Sequence, residues 1–440
     1  MVSSIFRLVN ISRGKEKITA LFAFLGFLWA LAVTFAQKFG DSLFMHHVGA
    51  EGLPLTYQLS AFGLIGLAAV LMYLFDRVRI HTIFVGLLSA TICFYGASAL
   101  YLAFNNDTIW LWYAVRTFGT LVFAISITCY WSFLDHYHDR VDAKKLYSLY
   151  SSSIFLGIIS TGSLMRSGWV TFESLAILVG VLLCVSVGII LYIVKSLPIV
   201  HQEEETIGSE GMQKVSWQEH LQLVITSPLT LLIIAANFLT YVLLVITEYS
   251  YLSTFQAMFG MSDSSPAEYP FGSSILSKFL GQWIACANVI NLIVGLFLYS
   301  RILARYGLGV LILSTPLFLL VTYFGWTSSQ SLAFPIMGLF VVEGMLLVID
   351  DSNFNILLNE VPGKIKYKLR LAIESGFEPI GMIVSSLLLE IPFINCKVLG
   401  LVMSGIFLGV ALLLRHKYRT AATATEDAEE SVIEPLPLAV

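Results

Sequence analysis

Eight ionisable side chains stand within or at the edge of long apolar runs: Lys38, Asp41, Arg116, Glu248, Lys278, Glu343, Glu374 and Glu378. A charge at the centre of a bilayer costs roughly 2.5–3.5 kcal/mol on insertion scales, so each position calls for a function or a partner. Lys38, Arg116 and Lys278 can contact an anionic solute, Arg as a planar fork and Lys as a point charge. Glu248 and Glu343 can gate such a solute or position it. Glu343, Glu374 and Glu378 are also candidates for carrying a coupling proton, and the i, i+4 spacing of the last two puts them on one helix face. The competing account is plain neutralisation, with Glu248 paired to Lys278 and Arg116 to a carboxylate. At span ends, as for Lys38, Asp41 and Lys278, long side chains can instead reach the interface. Arg116, about 10 Å into its span at 1.5 Å per residue, and Glu343, near the middle of its own, lack that escape. Asp350, Asp351, Asn353 and Asn355 follow Glu343 down the same span.

Other chemistry is sparse. The five cysteines are scattered and form no Cys-x-x-Cys pair, so neither a disulfide framework nor a thiolate metal site is expected. His46-His47 and the pair His136 and His138 lie in expected loops and read as solvated rather than as metal ligands. There is no phosphate-binding loop and no polar segment large enough for an ATPase, which excludes a primary pump. Nor do His, Cys and carboxylates cluster with catalytic spacing, so no enzyme, metal or cofactor is expected, and no nucleic-acid partner.

Long apolar segments must position these groups. The chain is 57% hydrophobic and 12% charged, against roughly 25% charged in ordinary globular domains. Crossing a bilayer takes about 20 apolar residues per helix, and twelve such spans are expected: 18–38, 55–75, 82–104, 109–134, 146–165, 174–194, 222–248, 278–300, 307–326, 332–357, 371–390 and 397–414. A cleaved signal peptide is the rival reading of the first, given its basic lead and Ala30-Leu31-Ala32. With the N-terminus placed in the cytoplasm, 20 of the 25 Lys and Arg residues fall on that side, the positive-inside pattern. Both termini are therefore expected in the cytoplasm of a cell whose inner (plasma) membrane holds the chain.

The expected organisation is a six-helix bundle over 1–194, a cytoplasmic linker over 195–221, a second bundle over 222–415 and a disordered tail over 416–440. A shift of 224 residues sets Lys144, Ser151, Gly157 and Ile159 on Lys368, Ser375, Gly381 and Ile383. Equal helix counts and this repeat imply two parallel halves about an axis along the membrane normal. The fold class expected is all-α, integral to the membrane, with twelve transmembrane helices in two bundles of major-facilitator type. Asp76-Arg77-Val78-Arg79, between the second and third spans, partly matches that superfamily's loop motif. The alternative is simple anchoring by positive charge.

Residues Lys38-Phe39-Gly40-Asp41-Ser42-Leu43 and Gly49-Ala50-Glu51-Gly52-Leu53-Pro54 resemble the end of the first helix in the ATP/ADP translocase family of plastids and intracellular bacteria. Trp131-Ser132-Phe133-Leu134-Asp135 with Asp142-Ala143-Lys144-Lys145-Leu146-Tyr147 is similar to a second family segment, and Tyr241 with Glu248-Tyr249 to a third. The resemblance implies the twelve-helix fold, a nucleotide substrate, and transport roles for Lys38, Asp41 and Glu248. The second half departs from the family pattern: Asn353 to Pro362 carries no Lys, and Glu378-Pro379 stands where the family has a Lys. The leading expectation is a monomeric secondary transporter that exchanges nucleotides, or moves a related anionic metabolite, by alternating access. The alternatives are a proton-coupled importer of another small solute, and a non-transporting receptor with the same fold.

Overall fold

A computed structural model describes residues 16–432 except 76, 105–107, 139, 169, 198–226, 260–274, 359–368 and 371. The first half comprises α1 (Glu16–His47), α2 (Leu53–Phe75), α3 (Ile80–Ala103), α4 (Ile109–Asp135), α5 (Arg140–Ser167) and α6 (Phe172–Ser196). The second comprises α7 (Pro228–Phe259), α8 (Ile275–Tyr306), α9 (Leu308–Ser328), α10 (Ala333–Leu357), α11 (373–389) and α12 (Cys396–Val432). Eleven of these are long and apolar enough to cross a membrane, and the apolar part of α11, Glu378–Leu389, is shorter. Large apolar side chains such as Phe62, Ile177, Val181 and Phe324 remain exposed around the bundle. That is surface a bilayer covers. The protein is a multi-pass, all-helical membrane protein.

Packing repeats between the halves. In the first, α1 contacts α4, α5 and α6, and α3 contacts α6; adding six to every label gives the contacts of the second, α7 with α10, α11 and α12, and α9 with α12. The inter-half contacts α5 with α8 and α2 with α11 exchange under the same operation. Small residues permit these approaches. A Cβ on Gly157 would stand 2.7 Å from the Phe27 carbonyl oxygen of α1, and one on Gly381 would stand 3.2 Å from the Phe238 oxygen of α7. The sequence match of Gly157 with Gly381 is thus a match of packing positions. Lys368 of the same repeat lies outside the described residues.

Several helices run past their expected ends. α1 continues through Lys38 and Asp41 to His47, and α7 through Glu248 to Phe259. These three residues are therefore inside helices rather than closing them. Helical structure in α12 persists to Val432, so much of the expected tail is helix, while 433–440 lie outside the described residues. Asp76, most of the linker (198–221) and the first residues of the expected seventh span (222–226) also lie outside them. His138 is buried rather than solvated, with Nε2 2.7 Å from the Tyr150 hydroxyl.

The two halves differ in winding. Among the described residues, π-helical segments occur only in the second: Val294–Leu298 in α8, Val341–Asp350 in α10 and Ile373–Phe377 in α11. Such segments are rare and are found disproportionately at functional sites. Glu343, Asp350 and Glu374 all stand on them.

Candidate functional site

A cavity of about 970 Å³ lies between the halves. Its wall runs from Lys38, Arg116 and Glu248 to Asp135 and Leu357, which end α4 and α10 on the face where α1 begins, and to Leu414 midway along α12. That face is termed the terminal face, and the opposite one the far face.

Ion pairs between the halves close the cavity toward the far face. Lys38 Nζ of α1 lies 2.5 Å from Glu343 Oε1 of α10. Arg116 Nη1 of α4 lies 2.5 Å from Asp41 Oδ1 of α1, and its Nη2 lies 3.2 Å from Glu248 Oε1 of α7. The same guanidinium donates from Nε to Thr56 Oγ1 at 3.1 Å, and its carbon sits 5.5 Å from the ring centres of Phe44 and Tyr57. The side chain of Arg116 is only 4% exposed, so its charge is viable only with these partners. α1, α4, α7 and α10 reach this point because their long apolar stretches carry only a few charges each, which converge on the bundle axis instead of facing lipid.

Nearer the far face the seal continues. Gln256 at the end of α7 accepts from the Ala50 backbone N–H at 2.7 Å and donates to the Met45 carbonyl at 2.9 Å. The turn it grips includes Gly49 at φ +91°, a conformation few side chains tolerate. Gln58 donates to Glu390 at 2.7 Å, joining α2 to the end of α11. α5 and α8 cross at Gly162 and Gly281, where a Cβ on Gly162 would stand 2.5 Å from the Gly281 carbonyl oxygen. The cavity therefore extends from a closed far side toward the terminal face.

Five of the eight candidate residues, Lys38, Asp41, Arg116, Glu248 and Glu343, form this one cluster. Glu374 and Glu378 of α11 stand on the cavity wall, the former paired with Arg370 at 2.7 Å. Lys278 does not join them. It is exposed at the start of α8, its stem packs over Gly168, and it is absent from the wall. The Glu248–Lys278 pair of the neutralisation account is replaced by Glu248–Arg116, because α7 delivers Glu248 to the axis while Lys278 sits on the periphery. Asp135, Asp350 and Asp351 also line the cavity. Asp350 and Asp351 were legible as members of the tenth span and Asp135 as the residue just past the fourth, but not that they face the interior. Glu343 owes its placement partly to Asn291 of α8, whose amide donates to the Glu343 carbonyl at 2.7 Å within the π-helical segment.

The wall is acidic. Among the described residues its basic side chains are Lys38, Arg116 and Arg370, against Asp135, Glu248, Glu343, Asp350, Asp351, Glu374 and Glu378. Each of the three cations already has a carboxylate within hydrogen-bonding distance. The field inside such a low-dielectric cleft concentrates cations and disfavours anions.

No family model and no curated protein sequence matches this chain. Solved structures do. A mutant of the nucleoside transporter NupG is 13% identical, covering 92% of this chain and 99% of its own, with a TM-score of 0.60. The xylose transporter XylE from E. coli, in an inward-open conformation, is 12% identical over 90% and 95%, at 0.59. An autoinhibited peptide transporter of the POT family is 13% identical over 93% and 97%, also at 0.59. The fold is that of the major facilitator transporters. At these identities the likeness extends to the fold, and the chemistry must come from the cavity itself.

Proposed function

We propose that this chain is a secondary transporter that moves a small polar solute of neutral or positive net charge by alternating access. The observation that carries this reading is the pairing of every basic side chain on the cavity wall among the described residues. A neutral or cationic solute can use the carboxylates and amides that remain, such as Glu378, Asp351 and Asn237. The ion pairs at the far-face end act as the gate, since they join the halves and must separate for the cavity to open there. Positive charge on the terminal face supports a cytoplasmic location for it, together with both termini. In that orientation the cavity is inward-facing.

Nucleotide exchange, implied by the first-half motifs, has one structural support: Lys38, Asp41 and Glu248 of those motifs do meet at the end of the cavity. An entering polyphosphate would have to take both cations from their carboxylates, and the liberated acids would oppose it. Exchange is therefore the second reading.

The test is uptake into proteoliposomes of radiolabelled ATP, uridine and choline, followed by competition with unlabelled nucleotides, nucleosides, amines and organic anions. Uridine represents the nucleosides, because a nucleoside transporter is among the structural neighbours. The expected result is flux of a neutral or cationic compound and none of ATP. ATP uptake accelerated by internal ADP would replace this reading with exchange. Binding without flux across the whole panel would favour the receptor reading.

A further inference from the structure

Asp350 differs from every other acid on the cavity wall. Glu343, Glu248 and Glu374 each face a cation. Glu378 stands beside Tyr241 of α7, and the exposed Asp135 accepts from the Tyr147 hydroxyl. Asp351 is exposed and lies in the field of Arg370. At Asp350, Oδ1 accepts from the Thr315 hydroxyl at 2.9 Å, while Oδ2 is buried and has no partner among the described residues. Among the described residues, the groups around it supply no positive charge. α9 presents Thr315, and α8 presents Tyr299, whose hydroxyl is engaged by Asn353 at 3.1 Å. Its neighbour on α10 is another acid, Asp351, and α7 carries no charged residue over 228–247. Arg370, just ahead of α11, is committed to Glu374.

An ionised carboxyl in this position is a buried charge without a counter-ion, which is costly in a membrane interior. A proton removes that charge, and the cavity wall gives it access. Its place in the chain adds a route to the gate. The π-helical segment Val341–Asp350 contains Glu343 near its start and has Asp350 as its last residue. A one-residue change between π and α winding would move these two carboxyls relative to each other. A segment with two discrete windings is the kind of bistable element that turns a local charge change into a larger movement.

We propose that Asp350 is a proton-binding site, and that the π-helical segment couples its protonation to the Lys38–Glu343 contact at the far-face gate. The proton passes from cavity water to the Asp350 carboxyl, giving a neutral carboxylic acid, and returns to water when the segment changes winding. This extends the transporter reading to its driving ion, yet the site can be tested without any solute.

The first measurement is the pH-difference infrared spectrum of the purified full-length protein, with the proton as the only ligand. A carboxylic-acid C=O band should rise on acidification, disappear in Asp350→Asn and persist in Glu374→Gln. A band that survives in Asp350→Asn overturns the proposal, as does a carboxylate signal that responds to sodium chloride but not to pH. Should Asp350→Asn fail to fold, Thr315→Val retains the carboxyl and removes its hydroxyl donor. Its band should shift in pH midpoint by about one unit, and an unchanged midpoint counts against the site. For the coupling, spin labels at Glu51 and Ser329 report the far-face separation of the halves. Their distance distribution should depend on pH in the otherwise native protein and not in Asp350→Asn; pH-dependence retained in Asp350→Asn removes the coupling. If protonation and coupling are seen while ATP, uridine and choline all fail to cross, the site stands and the transporter reading falls.

Discussion

Lys38 on α1 and Glu343 on α10 meet at 2.5 Å, with side chains 14% and 9% exposed. They belong to different halves, so the contact exists only while the far side is closed. Removing one member of a buried pair leaves the other uncompensated, which costs about 3 kcal/mol. Lys38→Met or Glu343→Gln should therefore raise the far-side-open population by about two powers of ten. A cysteine at Ser60, on the cavity wall, reads this as faster alkylation by an impermeant reagent applied to the far face. The double variant, with no charge left at either position, should react at an intermediate rate. Equal rates in all four proteins would mean that the pair is not part of the gate.

Arg116 makes a different demand. Its three nitrogens serve Asp41, Glu248 and Thr56 at once, and the point charge of Lys cannot reproduce that planar geometry. Arg116→Lys is expected to lose nearly as much uptake and thermal stability as Arg116→Gln. The two acids should not be equivalent. Asp41 is closer to Arg116, at 2.5 Å against 3.2 Å, and less exposed, at 8% against 15%. Asp41→Asn should therefore lower the melting temperature more than Glu248→Gln, and the reverse order would contradict this account of the network.

Hydropathy and equal helix counts made the architecture legible, and Gly157 with Gly381 marked equivalent packing sites before any contact was visible. The convergence of Lys38, Arg116 and Glu343 was legible for an energetic reason: charges in apolar helices must turn inward. Their partners were not legible, because pairing depends on the rotation of each helix about its axis. That rotation swings Glu248 onto Arg116 and leaves Lys278 at the edge of α8. The true ends of α1 and α7 were missed because the polar, bundle-facing turns after Lys38 and Glu248 no longer look like membrane spans. The π-helical winding of α10 has no local signature either, since one of its stabilising contacts is Asn291 donating to the Glu343 carbonyl from another helix.

The crossing of α5 with α8 should tolerate no added methyl group. A Cβ at Gly281 would lie 2.6 Å from the Met165 Cβ and 2.7 Å from the Gly162 carbonyl oxygen, neither of which can move without shifting a helix. Gly162→Ala and Gly281→Ala are expected to cost about 1–3 kcal/mol by overpacking. Gly180→Ala and Gly188→Ala meet nothing within 4 Å, so they should melt with the parent protein. A melting series of the four variants checks both halves of the prediction.

The acidic wall predicts its own reversal. Arg370 is held by Glu374, and Glu378 stands nearby on the same cavity surface. Replacing both acids with Gln frees one cation and removes two negative charges from the path of an entering solute. Inhibition by an anionic compound such as AMP should then strengthen by about tenfold, the equivalent of roughly 1.4 kcal/mol, while inhibition by a cation such as choline weakens. Salt tests the cause: both shifts should shrink as ionic strength rises, because part of the interaction passes through cavity water. If AMP gains nothing in the double variant, wall charge does not set the selectivity, and the proposed preference for neutral or cationic solutes loses its physical basis.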